Sequence, residues 1–205
     1  MQTTERQIAA IIDDDEAVRL SLTLLIETLG VEVRGYASAR AFLDDVSHAD
    51  ADCLVLDVRM PGMSGLELQS RLEEEDWLAP IIFISGHADV STAVQAMRAG
   101  AVDFLQKPFS DQALLDRVQQ ALEQGLMLRR RAIERGVLEA RLGLLSPRER
   151  EVMRRVVFGQ MNKVMAEELA ISVKTVEDHR ASIMRKMRAK SVQELVRMMN
   201  GIDLS

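Results

Sequence analysis

Three short apolar runs, Ile8 to Ile12, Cys53 to Leu56 and Ile81 to Ile84, together with the alternating Val31 to Tyr36 and the strand-like Ala101 to Leu105, alternate with longer stretches of helical spacing. Short apolar runs bounded by turn formers read as buried strands. Between them Leu20, Leu22, Leu24, Leu25, Ile26 and Leu29 make a helical pattern that Gly30 stops. Ser38 can cap a helix carrying Ala41, Phe42, Leu43 and Val46, and Gly65 to Leu72 reads as a third helix. Asp89 can cap a fourth through Val94, Met97 and Ala99, closed by Gly100, and from Asp111 a further helical pattern begins. Five strand–helix units in about 120 residues imply crossover connections, and those build a parallel sheet with helices on both faces. The fold class of this half is α/β.

An open parallel sheet collects its chemistry just outside the carboxyl ends of its strands. The first run ends at Asp13-Asp14-Asp15-Glu16, the third at Asp57, the fourth at Ser85-Gly86-His87, and the fifth just before Lys107-Pro108-Phe109. Taken singly, Asp57 is as well suited to begin the Pro61-Gly62 turn as to do chemistry. Taken together, these residues put acids, a hydroxyl and a cation on one rim. Crowded carboxylates raise one another's pKa unless a cation joins them. Oxygen ligands with room for water suit Mg²⁺ better than zinc, which prefers Cys and His. With Lys107 and Ser85 beside it, Asp57 could carry a phosphoryl group, a known fate of a carboxylate nucleophile. It is already ionised and needs no general base.

Asp13-Asp14, Asp57 in Asp-x-Arg-Met-Pro-Gly-Met-Ser-Gly, Ser85-Gly-His and Phe104-Leu-x-Lys107-Pro108-Phe109 together resemble the receiver domain of two-component response regulators. The resemblance implies that Asp57 is the phospho-acceptor. It further implies that Asp14 and Asp57 bind Mg²⁺ directly, with Asp13 acting through water and the backbone carbonyl of Arg59 as a further ligand. Lys107 would pair with the phosphoryl group, ahead of a cis bond to Pro108. Ser85 and Phe104 match the paired switch residues, whose hydroxyl moves toward the phosphate as the ring turns inward. Arg59 and His87 match places that modulate phosphate loss, and ordinary loop roles stay open for both.

The net charge of −6 conceals an asymmetry. Residues 1–125 hold 9 basic against 22 acidic side chains, a balance of −13, and residues 126–205 hold 17 against 10, a balance of +7. Opposite signs point to two domains, the basic one a candidate for nucleic acid. The stripe Leu115, Val118, Leu122, Leu126, Ile133, Val137, Leu144 keeps near-helical spacing across the junction, with Arg129-Arg130-Arg131 on its polar side, expected as a solvated face ahead of the alternative, a DNA contact. Its heptads are too few for a coiled coil. The expected organisation is 1–124 as the α/β domain, 125–145 as a helical linker and 146–205 as an all-α domain of four helices.

Ser146-Pro147-Arg148-Glu149 is a capping-box helix start, and the helix it opens carries Val152, Met153, Val156 and Val157 to Gly159. Asn162 to Leu169, Val173 to Met187 with Ser172 as cap, and Ser191 to about Met199 follow, the middle two forming a helix-turn-helix. Ser-Pro-Arg-Glu-Arg-Glu-Val, Asn162-Lys163, Ile-Ser-x-Lys-Thr175-Val176-Glu-x-His179-Arg180 and Ile183-Met-x-Lys186-Met187 resemble the DNA-binding domain of the LuxR/NarL/FixJ regulators. With the receiver motifs ahead of it, the whole chain resembles a FixJ-type response regulator. Met161 departs from the pattern, which usually places Ser there as the helix cap; the loss costs about 1 kcal/mol. The third helix of such a domain enters the major groove. Phosphate contacts are then expected from Lys163, Thr175, Arg180 and Lys186, and base reading from Lys174, Glu177, Asp178 and Ala181, with Glu177 able to accept from cytosine N4. Tuning of surface charge alone stays open for Glu177 and Asp178.

One cysteine, Cys53, excludes an internal disulfide framework and fits a reducing compartment. There is no apolar run long enough to span a membrane and no signal-peptide pattern, so a cytoplasmic location is expected. The expected function is a phosphorylation-controlled transcription regulator, leaning to activation, not an enzyme. Its expected partners are a sensor histidine kinase, promoter DNA, a second copy when phosphorylated, and RNA polymerase. A Mg²⁺-dependent phosphatase also uses an Asp nucleophile, but usually with a second acid two residues later, where this chain has Arg59. An adaptor acting by protein contact alone is disfavoured by the basic helix-turn-helix.

Overall fold

The computed structural model describes residues 7–86 and 90–199. It divides into two units, Met1–Arg131 and Ala132–Ser205. In the first, the strands β1 (Ile8–Ile12), β2 (Glu32–Tyr36), β3 (Cys53–Asp57), β4 (Ile81–Ser85) and β5 (Asp103–Gln106) alternate with helices α1 (Glu16–Glu27), α2 (Ala39–Asp44), α3 (Gly65–Glu74) and α4 (Val90–Arg98). All pairings are parallel, in the order β2-β1-β3-β4-β5. The order reverses between β1 and β3, where a doubly wound sheet opens its crevice.

Alternation along each strand divides the core in two. Ala10, Ile12, Leu54, Leu56 and Phe83 pack on one face with Phe42 of α2 and Leu68 and Leu72 of α3. Ala9, Ile11, Val55, Ile82 and Ile84 pack on the other with Leu22 and Ile26 of α1. Helix α5 (Asp111–Gly143) adds Leu114, Val118 and Leu122 to that second layer. The strand expected from Ala101 begins at Asp103, and α2 ends at Asp44, so Val46 lies outside it and is 96 % exposed. Asp45 ends α2 by bonding the backbone of Ser47 and the Tyr36 hydroxyl instead of continuing the helix. The Asp89 cap falls outside the described residues; α4 is described from Val90.

The second unit holds α6 (Pro147–Val157), α7 (Asn162–Glu168), α8 (Val173–Met187) and α9 (Val192–Met199). Val152, Val156, Met165, Val176, Ile183 and Leu195 make its core, with Leu138 and Leu142 of α5 packed against it. Helix α6 starts on the capping box of Ser146 and Glu149, and Ser172 caps α8 by accepting from the Thr175 N–H. Met161 occupies the cap position of α7 with no side-chain bond to it.

Candidate functional site

Register decides where the acids meet. Ile12 of β1 lies opposite Leu56 of β3, so Asp13 and Asp57 leave the sheet side by side. Ser85 of β4 pairs with Gln106 of β5, which delivers Lys107 to the same rim, its N–H bonded to the Ser85 carbonyl at 2.8 Å. The Lys107 ammonium bridges the two acids, 2.8 Å from Asp13 Oδ2 and 3.1 Å from Asp57 Oδ1. Asp57 Oδ2 accepts the Arg59 N–H at 2.7 Å, and Asp13 Oδ1 accepts that of Asp15 at 2.9 Å. The Lys107–Pro108 peptide is cis.

Both paired acids are buried, Asp13 to 1 % exposure and Asp57 to 8 %. Burial pushes the Asp57 carboxyl above its ordinary pKa, against the Lys107 and Arg59 bonds that favour the anion. Lys107 moves up as well: burial opposes its charge, but the bonds to Asp13 and Asp57 outweigh it. Asp14 is exposed on the rim beside them, and Arg59 is exposed beyond β3. Ser85 is buried at the end of β4, and the Phe104 ring lies 6.2 Å from Phe83, stacked at 26°. His87 lies outside the described residues.

Among the described residues no three Asp, Glu, His or Cys side chains gather round one point. The donor set is two buried carboxylates sharing one lysine, with Asp14 alongside. Oxygen donors of this kind fit a hard cation that keeps part of its water shell, and the raised pKa of Asp57 leaves a demand for further positive charge. Gly65 is required here, since a Cβ would stand 2.3 Å from the Asp57 carbonyl oxygen.

Two features of this unit had no signal within a single motif. Asp52, at the opposite end of β3 from Asp57, is buried, accepts the Ile8 N–H, and pairs with Arg129 at 3.4 Å. The first of the three arginines is therefore a receptor for a buried acid and not simply part of a solvated face. Gln69 is buried too, and its amide donates to the Ala96 and Ala99 carbonyls that end α4.

In the second unit, Lys174, Glu177, Asp178 and Ala181 share the exposed side of α8, and Lys163 is exposed on α7. Thr175 and Arg180 are half-buried, and the Arg180 guanidinium donates to Asn162 Oδ1 at 2.9 Å. Lys186 is half-buried and turned toward α6. Its ammonium lies 2.6 Å from Glu149 Oε2, while Ser182 donates to Glu149 Oε1. These bonds, the Lys186 one foremost, hold the Glu149 carboxyl down at about 2. Lys186, expected to touch phosphate, is thus engaged in a mostly buried ion pair that ties α8 to α6.

The sequence of residues 9–119 matches the response regulator receiver domain, and that of residues 143–199 the bacterial regulatory proteins of the luxR family. The chain belongs to the two-component response regulators, with a receiver domain joined to a LuxR-type DNA-binding domain. Within them it is of the NarL/FixJ type. It is 45 % identical over 194 residues to the response regulator protein TmoT of Ectopseudomonas mendocina, spanning 95 % of this chain and 88 % of that one. It is 45 % identical over 188 residues to the transcriptional regulatory protein FixJ of Rhizobium meliloti, covering 92 % of each. Among solved structures, the response regulator StyR matches with a TM-score of 0.85 at 40 % identity over 95 % of this chain and 98 % of that one. Full-length FixJ from B. japonicum matches with a TM-score of 0.58 at 42 % identity, over 96 % and 97 %. The chain is a phosphorylation-controlled, DNA-binding transcription regulator, and no helix among its described residues is long and apolar enough to cross a membrane.

Proposed function

We propose that Asp57 receives a phosphoryl group from a sensor histidine kinase and that the modified chain dimerises on promoter DNA. The observation that carries this is the Lys107 bridge between Asp13 and Asp57, a fixed cation shared by two buried acids at the carboxyl ends of neighbouring central strands. In the transfer, an Asp57 carboxylate oxygen forms a bond to phosphorus as the bond from phosphorus to the kinase histidine nitrogen breaks. Lys107 is placed to exchange Asp57 for a phosphoryl oxygen while keeping Asp13. The Arg59 N–H steadies the second carboxylate oxygen, and Ser85 and Phe104 stand where the added charge is felt first. Asp13, Asp14, Asp57 and the Arg59 carbonyl would hold Mg²⁺, which when bound neutralises charge on the phosphoryl oxygens.

The phosphate is the output of this site and not an intermediate on the way to a turned-over substrate. The position two residues beyond Asp57, where a phosphatase of this chemistry usually keeps an acid, holds an exposed arginine. On the DNA side, Lys163, Thr175 and Arg180 contact phosphates, and Lys174, Glu177, Asp178 and Ala181 face the bases. The chain acts in the cytoplasm, where its DNA lies, and activates transcription through RNA polymerase. Gel-shift titration on promoter fragments, with and without acetyl phosphate and Mg²⁺, tests the proposal. Binding should tighten at least tenfold on treatment of the wild type and stay unchanged for Asp57→Asn; equal tightening of both would defeat it.

A further inference from the structure

Apart from Arg180, which is half-buried and donates to Asn162, the half of α8 offered to DNA carries little usable positive charge. Lys174 is paired with Asp178, Nζ to Oδ1 at 3.2 Å, although both side chains are well exposed. Glu177 is exposed and has no ionic partner among the described residues. Lys186 is paired with Glu149, and the exposed Arg185 and Arg188 stand at the far, C-terminal end of the helix. Once the Lys174–Asp178 pair is set aside, the outward face of the first two turns of α8 is left with the negative charge of Glu177.

A polyanion should be met by cations, since phosphate contacts supply most non-specific affinity. We propose that Glu177 and Asp178 set selectivity by exclusion. Resting on the DNA-binding role proposed above, this assigns the face a ligand class: a groove edge that presents cytosine amino groups next to guanine acceptors. Cytosine offers the major groove only its N4 donor, which a carboxylate can accept. Guanine offers O6 and N7, which Lys174 can reach once it leaves Asp178. The exchange is inexpensive, because exposed pairs one helical turn apart are weak. At A·T pairs the adenine N6 donor is flanked on both sides by acceptors, N7 and thymine O4, which oppose a carboxylate more than the edge of cytosine does, and on any sequence the carboxylates repel nearby phosphates. Selectivity then comes from penalising the wrong partner as much as from contacting the right one.

The test uses the full-length chain with acetyl phosphate and Mg²⁺. Duplexes are enriched from a random pool on the wild type, and binding is then compared between the enriched pool and random-sequence duplex. Glu177→Gln and Asp178→Asn keep shape and remove charge at exposed positions. Each should tighten binding to random duplex about two- to fivefold. Each should also weaken binding to the enriched pool about fivefold or more. The selectivity ratio then falls at least tenfold, whereas Glu134→Gln, which removes a charge on α5, leaves it unchanged. A ratio that stays constant in both α8 variants, or that falls equally in Glu134→Gln, overturns the exclusion mechanism while leaving DNA binding intact. Failure of the wild type to enrich any duplex overturns DNA binding and exclusion together.

Discussion

The Lys107 ammonium lies 3.1 Å from the Asp57 carboxylate, yet the Asp57 pKa still stands above its ordinary value. Burial therefore outweighs the ion pair, and the native fold disfavours the charge it needs for chemistry. For an acid with a raised folded pKa, the stabilising contribution is complete below the unfolded value of 3.8 and is lost as pH rises through the folded value. Asp57→Asn removes that loss. The variant should melt above the wild type at pH 7, an advantage that shrinks toward pH 4 and below. Fluorescence of Trp77, the single tryptophan, reports on this unit alone. Millimolar Mg²⁺ should raise the wild-type midpoint and leave the variant's in place; a variant that melts lower at every pH would refute the sign.

The close approach of α3 to β3 gives a second prediction. Adding a methyl at Gly65 sets it against the Asp57 carbonyl at 2.3 Å and the Phe83 ring at 3.0 Å. Neither backbone nor a core aromatic can yield cheaply. Gly65→Ala should lose about 1–3 kcal/mol in denaturant titration. It should also slow acetyl phosphate labelling, because the displaced atom belongs to the acceptor residue itself.

Glu149 joins three parts of the DNA-binding unit: the start of α6, Ser182 and Lys186. Glu149 is buried but Lys186 keeps contact with solvent, so Glu149→Gln loses a partly screened pair and should cost about 1–2 kcal/mol. Its folded pKa is depressed from 4.5 to about 2, so its contribution is present above pH 4.5 and is lost as pH falls toward 2. Amide exchange in α8 should accelerate over that window in the wild type and show little further acceleration in the variant.

Helix α7 offers a gain. Met161 sits at its cap without a side-chain bond and is 71 % exposed. A serine can accept from the first turn of the helix, so Met161→Ser should stabilise this unit by about 1 kcal/mol without changing selectivity among duplexes, measured by urea titration and gel shift. A neutral or destabilising result would mean that the Met161 side chain contributes packing its exposure does not reveal.

Much of the first unit was legible because its signals are local and agree with one another. Apolar runs, stops at glycine and caps at serine locate β1 to β5, and their carboxyl ends bring Asp13, Asp57, Ser85 and Lys107 together by topology. Pairings that depend on distant residues were not. Glu149 was fully explained by its capping box, and nothing near it in the chain announces Lys186, 37 residues on. Asp52 reads as a polar residue before a strand until Arg129, 77 residues later, covers it. Val46 fits a helical spacing, but Asp45 diverts the backbone first.

Peptide mapping by mass spectrometry after brief acetyl phosphate treatment with Mg²⁺ bears most directly on the phospho-acceptor. One phosphoryl group should appear, on the peptide containing Asp57, labile to hydroxylamine as an acyl phosphate is, and absent from Asp57→Asn. A stable phosphoryl group at another residue, or undiminished labelling of Asp57→Asn, would contradict it.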